Sequence, residues 1–168
     1  MITRSRPIYL IFVLFVAAVF SGSLSRTSDA QDAGEVPRYV SLRADEVNVR
    51  AGPGVRYPVK WVFVRKFMPV EVIADYDTWR KIRDWEGAEG WVHRAMLSNK
   101  RHIITVGGLS TLRQSPTEES RAVAKLDDGV VAEIKGCEPA WCKLSVGGYE
   151  GWLKRASLWG LKRGEVVQ

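Results

Sequence analysis

The sequence is poor in the residues from which catalytic and metal centres are usually built. Its 168 residues include two cysteines and two histidines, too few for a four-ligand thiolate zinc site. No His-Glu-x-x-His, Gly-x-Ser-x-Gly or glycine-rich phosphate loop occurs in it. Glu86 and Glu89 are a conceivable carboxylate pair for glycoside hydrolysis, but both fall in one short loop. We therefore expect no enzymatic activity, no cofactor and no bound metal ion.

Long hydrophobic runs are also scarce. The longest covers residues 8–20, follows Arg4 and Arg6, and precedes a stretch of small and polar residues. At about 1.5 Å per residue it reaches about 20 Å, short of the ~30 Å hydrocarbon core. A secretory signal peptide is therefore favoured, and a retained membrane anchor is the lesser alternative. We expect cleavage after Ala30, or secondly after Ser23, and a periplasmic or secreted protein with no stable membrane anchor after cleavage.

The net charge excludes one class of partner. Removing residues 1–30 takes away three basic residues and one acidic residue, which leaves 22 against 18 and a net charge of +4. The acidic residues are interspersed among the basic ones, so nucleic acid is not an expected partner. Contact with anionic wall polymers is compatible with this charge but not required by it.

The remaining chain contains an internal repeat. Residues of one half recur 63 positions later, then 62, then 61, so two single deletions separate the copies. The clearest pairs are Arg50 with Arg113, Pro53 with Pro116, Trp79 with Trp141, Lys81 with Lys143, and Gly90-Trp91-Val92 with Gly151-Trp152-Leu153. We predict a signal peptide (1–30), a disordered leader (31–38), a first domain (39–98), a linker (99–101), a second domain (102–161) and a C-terminal tail (162–168).

Each copy is predicted to consist of short strands. In the first, apolar and polar residues alternate at 47–49, 70–73, 79–83 and 91–93, and residues 59–67 are mostly apolar and β-branched. A single 3₁₀ turn is expected at 94–97. Strands at roughly ten-residue spacing, without a long helical period, predict a small β-barrel or sandwich.

This combination resembles the bacterial SH3 (Src-homology-3-like) domain in tandem. The motifs that carry the resemblance are Val47-Asn48-Val49-Arg50-Ala51-Gly52-Pro53-Gly54, Trp79-x-Lys81-Ile82 and Gly90-Trp91-Val92, with diverged copies at 111–116, 141–144 and 151–153. The resemblance implies an all-β fold of two small five-stranded, partly open barrels, each with a long loop before its second strand. It also implies a non-catalytic binding module, frequently for peptidoglycan. In the second copy Ser115 and Thr117 replace the two loop glycines, so a different first loop is expected there.

The two cysteines are predicted to form a structural disulfide. Cys137 and Cys142 enclose four residues, a hairpin connection that places the two cysteines opposite each other. The predicted export provides the oxidising compartment in which a disulfide forms. A redox-active pair is the lesser alternative, because the spacing is not Cys-x-x-Cys. Asp75 and Arg80 occupy these places in the first copy, where we expect an exposed ion pair worth less than about 1 kcal/mol.

Tryptophans are the leading candidates for ligand contact. Four of the seven recur in both copies, and packing in the core or at its rim is favoured for them over a half-exposed aromatic surface. Trp61 and Trp85 have no aromatic counterpart, so we expect them to be exposed, together with Tyr57 and Tyr76.

Two further residue types were weighed as ligand contacts. Arg50 and Arg113 recur after the first strand, where a role in holding loop carbonyls is favoured over binding the carboxylates of a wall peptide. His93 corresponds to Lys154 and is expected to be a surface residue, whereas His102 is expected in the linker.

The sequence thus predicts an exported tandem binding protein that docks on peptidoglycan. The alternative is a protein–protein interaction or assembly module of the cell envelope that binds a peptide of an envelope protein. The candidate ligand-binding residues are Arg50, Tyr57, Trp61, Tyr76, Trp79, Trp85, Arg113, Trp141 and Tyr149.

Overall fold

The fold is all-β, as predicted. The computed structural model describes residues 35–167, and the predicted signal peptide and the first half of the predicted leader (31–34) lie outside them. The first module has β1 (Arg38–Leu42), β2 (Val47–Arg50), β3 (Val59–Phe63), β4 (Pro69–Tyr76), β5 (Trp79–Arg83), β6 (Glu89–His93), a 3₁₀ turn (Arg94–Met96) and β7 (Leu97–Ser98). The second has β8 (His102–Thr105), β9 (Ser110–Arg113), β10 (Ala122–Leu126), β11 (Val131–Cys137), β12 (Trp141–Val146), β13 (Tyr149–Lys154), a 3₁₀ turn (Arg155–Ser157) and β14 (Leu158–Trp159).

The two modules share one topology. Each is a seven-stranded antiparallel sheet, ordered β3-β2-β6-β5-β4-β1-β7 in the first and β10-β9-β13-β12-β11-β8-β14 in the second. This confirms the tandem arrangement of two SH3-like units. The resemblance implies five strands in each module, and the strands predicted from alternation in the first module correspond to β2–β6. The two additional strands are β1 and β7 in the first module and β8 and β14 in the second, and the loop expected before the second strand lies between β2 and β3.

The alternating strands build the core of each module. Val49, Val72, Ile82 and Val92 are fully buried in the first, each flanked along its strand by residues of the opposite face. The second has the equivalent cluster, which includes Leu112, Leu144 and Leu153. Because side chains alternate between the two faces of a strand, the residues between these buried positions lie on the outer face of the sheet.

Strand β1 is a feature that the sequence patterns missed. The disordered leader was expected to extend to residue 38, but Arg38 begins β1 and donates to both carboxylate oxygens of Asp75 at 3.0 Å. Buried and exposed residues do not alternate clearly along this short strand, because Val40, Ser41 and Leu42 are all buried. Ser41 and Leu42 pair with β7, and the rest of the strand pairs with β4.

The two sister hairpins are closed by different chemistry at the same register. Cys137 lies opposite Cys142 and forms the predicted disulfide, with a Cα–Cα distance of 4.1 Å. Asp75 lies opposite Arg80, whose Nε is 2.9 Å from the carboxylate. The expectation of an exposed pair is wrong, because the Arg80 side chain is only 5% exposed and Asp75 also binds Arg38.

The modules are joined by a shared apolar junction. Ile104 of β8 is fully buried in the core cluster of the first module, and Trp159 packs against the same cluster. The rings of Tyr39 and Trp159 meet edge to face with centroids 5.1 Å apart. Arg65 of the first module donates to the carbonyl of Gly129 at 2.6 Å. The three-residue connection at 99–101 and these contacts restrict the relative motion of the modules.

His102 is part of this junction and not of a linker. It begins β8, is buried, and stacks on Phe67 with ring centroids 4.6 Å apart. The Ser41 hydroxyl donates to the carbonyl of Lys100 at 2.7 Å, so Nδ1 of His102 carries a proton and donates to Ser41 Oγ at 3.0 Å. Burial lowers the pKa of His102, and the opposing influence of Glu133 across the strand pair does not offset it.

Acidification is expected to destabilise the protein through His102. Its pKa is lower in the folded than in the unfolded state, so its contribution is complete above about pH 6.5 and is lost as pH falls. Urea unfolding at pH 7.5 and 5.5 measures this loss. His102→Gln should reduce the difference between the two pH values. Equal pH dependence in the variant and the unaltered protein would contradict the assignment.

The chain end belongs to the second module. Arg101 binds both carboxylate oxygens of Glu165, at 2.5 and 3.2 Å. Burial raises the pKa of Glu165, but the Arg101 guanidinium and the Lys162 N–H outweigh it and hold that pKa below its usual range. The Cys137 N–H donates to the carbonyl of Val167 at 2.9 Å. Residues expected to form a tail are therefore fixed to the barrel.

Candidate ligand-binding face

The outer surface of β5 and β6 carries two of the tryptophans of the first module. Arg80 and Ile82 point into the core, so Trp79 and Lys81 point outward. On β6 the same alternation places Trp91 and His93 outward. Trp79 lies opposite His93, and Lys81 lies opposite Trp91.

The rings on this surface make contact in two pairs. The Trp79 and His93 ring centroids are 5.4 Å apart, and those of Tyr76 and Trp91 are 6.4 Å apart, both edge to face. Tyr76 is 61% exposed, while the other three are half-buried and belong to neither core cluster. We call Tyr76, Trp79, Trp91 and His93 the aromatic face. It offers apolar ring surface to solvent on an otherwise charged sheet.

Arg50 borders the aromatic face and fixes the loop beside it. It lies opposite Trp91, and its Nη1 donates to the carbonyls of Val55 at 3.1 Å and Tyr57 at 2.8 Å. Arg113 donates in the same way to the carbonyl of Ser120 at 2.7 Å. Both arginines therefore hold loop carbonyls, which is the role that the sequence favoured.

The two loops are closed differently, and this explains their divergent glycines. The ring of Tyr57 packs on Gly52 so closely that a Cβ there would lie 2.6 Å from it. At the equivalent places in the second module, the Ser115 N–H donates to the Ser120 hydroxyl at 2.8 Å. With no ring to accommodate, the second loop needs no glycine at this point.

The equivalent face of the second module is more polar. Trp141 and Trp152 occupy the places of the two outward tryptophans, but Lys154 lies opposite Trp141 where the first module has a histidine. Lys154 forms an ion pair with Glu118. A hydrogen bond from Lys154 lowers the pKa of Glu118. An open groove of about 810 Å³ lies beside these residues and is lined on one side by Arg155.

Three predicted site residues lie away from these faces. The expectation that Trp61 and Trp85 are exposed is wrong, since both are half-buried and pack against the core cluster. Trp61 contacts Phe63 on the inner side of β3, and its ring edge lies 3.3 Å from where a Cβ of Gly90 would be. Tyr149 is exposed, but it lies at the opposite end of the β12–β13 hairpin from Trp141.

Sequence reasoning assigned no ligand role to Trp91 and His93. The signal was present, because Gly90 and Val92 had to be inward for the barrel to close, which leaves Trp91 and His93 outward. His93 is a surface residue, as expected, and its Nδ1 accepts from the Ala95 N–H at 3.3 Å at the start of the 3₁₀ turn.

Residues 35–167 contain neither a metal-binding cluster nor a membrane-spanning helix. No group of three or more His, Cys, Asp or Glu side chains in this part of the chain is arranged to hold a metal ion. None of its helices has the length and apolar character needed to cross a membrane.

Comparison with known proteins identifies the family. The model of the bacterial SH3 domain matches residues 43–99 and again residues 107–160. The chain belongs to the bacterial SH3 domain family and carries two copies of the domain.

One curated relative and two solved structures are similar to the chain. "Putative N-acetylmuramoyl-L-alanine amidase YrvJ" of Bacillus subtilis (strain 168) is 24% identical over an alignment of 153 positions, and the alignment covers 84% of this chain and 29% of that protein. The chain thus spans less than a third of this relative. NlpC2 and NlpC1 of Trichomonas vaginalis align with TM-scores of 0.34, at 10% and 11% identity. They cover 76% and 77% of this chain, and the alignments span 49% and 48% of those structures.

Proposed function

We propose that this protein is an exported, non-catalytic tandem module that binds peptidoglycan through the aromatic face of the first module. The observation that carries the proposal is the two pairs of contacting rings on the outer sheet surface, with Tyr76 61% exposed. Flat apolar ring surfaces stack on sugar rings and on the apolar parts of short peptides. Arg50 beside them holds the adjacent loop in one conformation, which limits the entropy lost on binding.

The relative supports the choice of ligand. This relative is named as a putative N-acetylmuramoyl-L-alanine amidase. The bond in that name joins sugar to peptide in peptidoglycan. The similarity covers most of this chain but a minor part of that protein, and it falls on the segment that contains both SH3 domains. A shared module that holds an enzyme on its substrate accounts for such a pattern.

Export and the absence of catalysis rest on separate observations. The Cys137–Cys142 disulfide suits an oxidising compartment and thus the predicted periplasmic or secreted location. The aromatic face holds one imidazole, His93, whose Nδ1 accepts a backbone N–H and whose ring packs on Trp79. None of the four residues of this face is a serine, threonine or cysteine, which suits binding rather than bond cleavage.

Co-sedimentation with purified sacculi tests the proposal. Tyr76→Ala should weaken the affinity for sacculi about two- to twelvefold, because one exposed aromatic contact contributes roughly 0.5–1.5 kcal/mol. Tyr149→Ala is the matched control, since Tyr149 is also exposed but lies in the other module away from Trp141. It should pellet like the unaltered protein. Equal pelleting of both variants, or no pelleting beyond that of an unrelated protein of similar charge, would refute the proposal.

A second candidate function is interaction with an envelope protein. The observation that favours it is a separate apolar and basic surface at the edge of the first sheet, where Val62 and Val64 are exposed. Affinity capture from envelope extract, with and without muramidase treatment, separates the two functions. A stoichiometric partner protein that survives muramidase treatment would favour the second.

A further inference from the structure

Exposed apolar side chains are concentrated in one segment of the first module. Five of the large hydrophobic residues that are exposed within residues 35–167 lie between positions 55 and 67. Along β3 and just beyond it, Val59 is 42% exposed, Val62 44% and Val64 77%. The matching strand of the second module, β10, has alanine at two of its five positions. This surface is therefore specific to the first module.

The segment lies at a free strand edge. Strand β3 is the last in the order of its sheet, and β2 is its one partner in the described part of the chain. The other edge of β3 thus presents backbone N–H and C=O groups that are not used within the sheet. Trp61 and Phe63 face inward, so Lys60 and Val62 lie on the outer face of this edge.

The same segment is strongly basic. Residues 47–70 contain five lysines and arginines and no aspartate or glutamate. Lys60 donates to the carbonyl of Glu89 at 2.7 Å, Arg65 to that of Gly129 at 2.6 Å, and Lys66 lies over the Phe67 ring. None of these three bases pairs with a carboxylate within residues 35–167. On β5, by contrast, Lys81 is paired with Glu89 at 2.7 Å.

We propose that the free edge of β3 binds an acidic peptide segment of a partner protein in extended conformation. The peptide adds a strand to the sheet, so its backbone groups pair with those of β3. Its carboxylates lie near Lys60, Arg65 and Lys66, and its apolar residues contact Val62 and Val64. Charge complementarity selects an acidic partner, and the strand edge selects an extended one. This site is separate from the aromatic face, because β2 lies between β3 and β6.

Basic residues on an edge strand also have a protective role, since they discourage edge-to-edge aggregation. Protection alone explains the lysine on β3, but it predicts no affinity for an added acidic strand. It also gives no reason for exposed valines beside the charges. The two explanations therefore differ in a measurable quantity, which is the affinity for an extended acidic peptide.

Fluorescence anisotropy of the mature chain with three labelled peptides tests the proposal. The first peptide alternates glutamate and valine, the second alternates lysine and valine, and the third is the first with alternate backbone nitrogens methylated. We expect the glutamate peptide to bind. The lysine peptide should not bind, and methylation should abolish binding because it removes the N–H donors needed for strand pairing.

Charge-reversal variants locate the site. Lys60→Glu, Arg65→Glu and Lys66→Glu combined should weaken binding of the glutamate peptide by about tenfold or more, since each exposed charge contributes modestly. The matched control combines Lys100→Glu, Lys125→Glu and Lys162→Glu, three exposed lysines elsewhere with the same change in net charge. The control should bind within about twofold of the unaltered chain.

Three results would overturn the proposal. The first is no binding of the glutamate peptide by the folded protein, and the second is equal binding of its methylated form. The third is equal weakening by both sets of charge reversals, which would mean that net charge alone attracts the peptide. Stronger binding to phosphatidylglycerol vesicles than to the peptide would replace the acidic partner by a lipid surface. Sacculus binding should persist in the Lys60, Arg65 and Lys66 variant, so failure here leaves the proposed function intact.

Discussion

Replacing Gly90 or Gly151 by alanine is expected to destabilise the module that contains it by about 3 kcal/mol, the upper end of the range for overpacked cores. A Cβ on Gly90 would lie 2.3 Å from Val49 Cγ1, and one on Gly151 would lie 2.7 Å from both the carbonyl oxygen of Arg113 and Leu112 Cγ. The two glycines occupy equivalent places, where the closing strand of each barrel crosses the first hairpin. The loss of stability should be larger for Gly151→Ala, because the Arg113 carbonyl oxygen belongs to the backbone and moves less easily than the Val49 side chain.

Gly136→Ala is the matched control for these substitutions. Gly136 also lies in a strand, but a Cβ there would be 3.5 Å from the nearest atom, the carbonyl oxygen of Val167. We expect no loss of stability, because alanine is better than glycine where space is available. Urea unfolding midpoints of the three variants measure the difference. Equal stability of all three would show that the barrels do not close through these glycines.

Asp75→Ala is expected to cost about 3 kcal/mol in the free energy of unfolding. The substitution removes the carboxylate that pairs with Arg80 at 2.9 Å and with Arg38 at 3.0 Å, and Arg80 is almost completely buried. Removing one partner of a buried ion pair leaves the other charge desolvated and uncompensated, which is far more costly than breaking a surface pair.

Glu150→Ala provides the comparison for an exposed pair. Glu150 faces Lys143 at 3.5 Å, and both side chains are about half exposed. Its loss should cost less than about 1 kcal/mol. Thermal and urea unfolding of the two variants measure both values. If Asp75→Ala costs as little stability as Glu150→Ala, the Asp75–Arg80 pair behaves energetically like the exposed pair that the sequence predicted, which would contradict this account.

The duplication and the strand alternation account for most of what the sequence predicted correctly. A repeat keeps Trp79 and Trp141, or Gly90 and Gly151, in register only if the same contacts recur, and the two sheets indeed share their order. The disulfide followed from spacing and compartment because a short hairpin leaves little choice of partner. Strand β1 was not predicted because its last three residues are all buried, so its sequence lacks the alternation of apolar and polar residues.

The placement of the aromatic residues was harder to predict, for a physical reason. Trp61 lacks a counterpart in the other copy, which suggested a ligand contact, but its ring fills the space above Gly90 at the end of the core. Trp79 and Trp91 recur, which suggested the core, but the phase of their strands turns them outward. Recurrence reports that a residue matters to both modules, whereas the strand phase decides which side it faces. Phase relative to Gly90 and Val92 is therefore the better guide.

The junction between the modules lay beyond sequence reasoning for a different reason. Ile104 belongs to the second repeat in sequence but packs in the core cluster of the first module. A residue that serves a neighbouring module does not differ in type from one that serves its own. Only the fold shows that the contact between the modules uses Ile104, Trp159 and the buried His102.

Nuclear magnetic resonance of the tryptophan indole N–H groups, recorded while soluble peptidoglycan fragments are added, tests the central claim most directly. If the aromatic face is the binding surface, the Trp79 and Trp91 signals shift as fragments are added and those of Trp61 and Trp85 stay in place. Shifts confined to Trp61 and Trp85, or no shift at fragment concentrations that displace the protein from sacculi, would contradict the account.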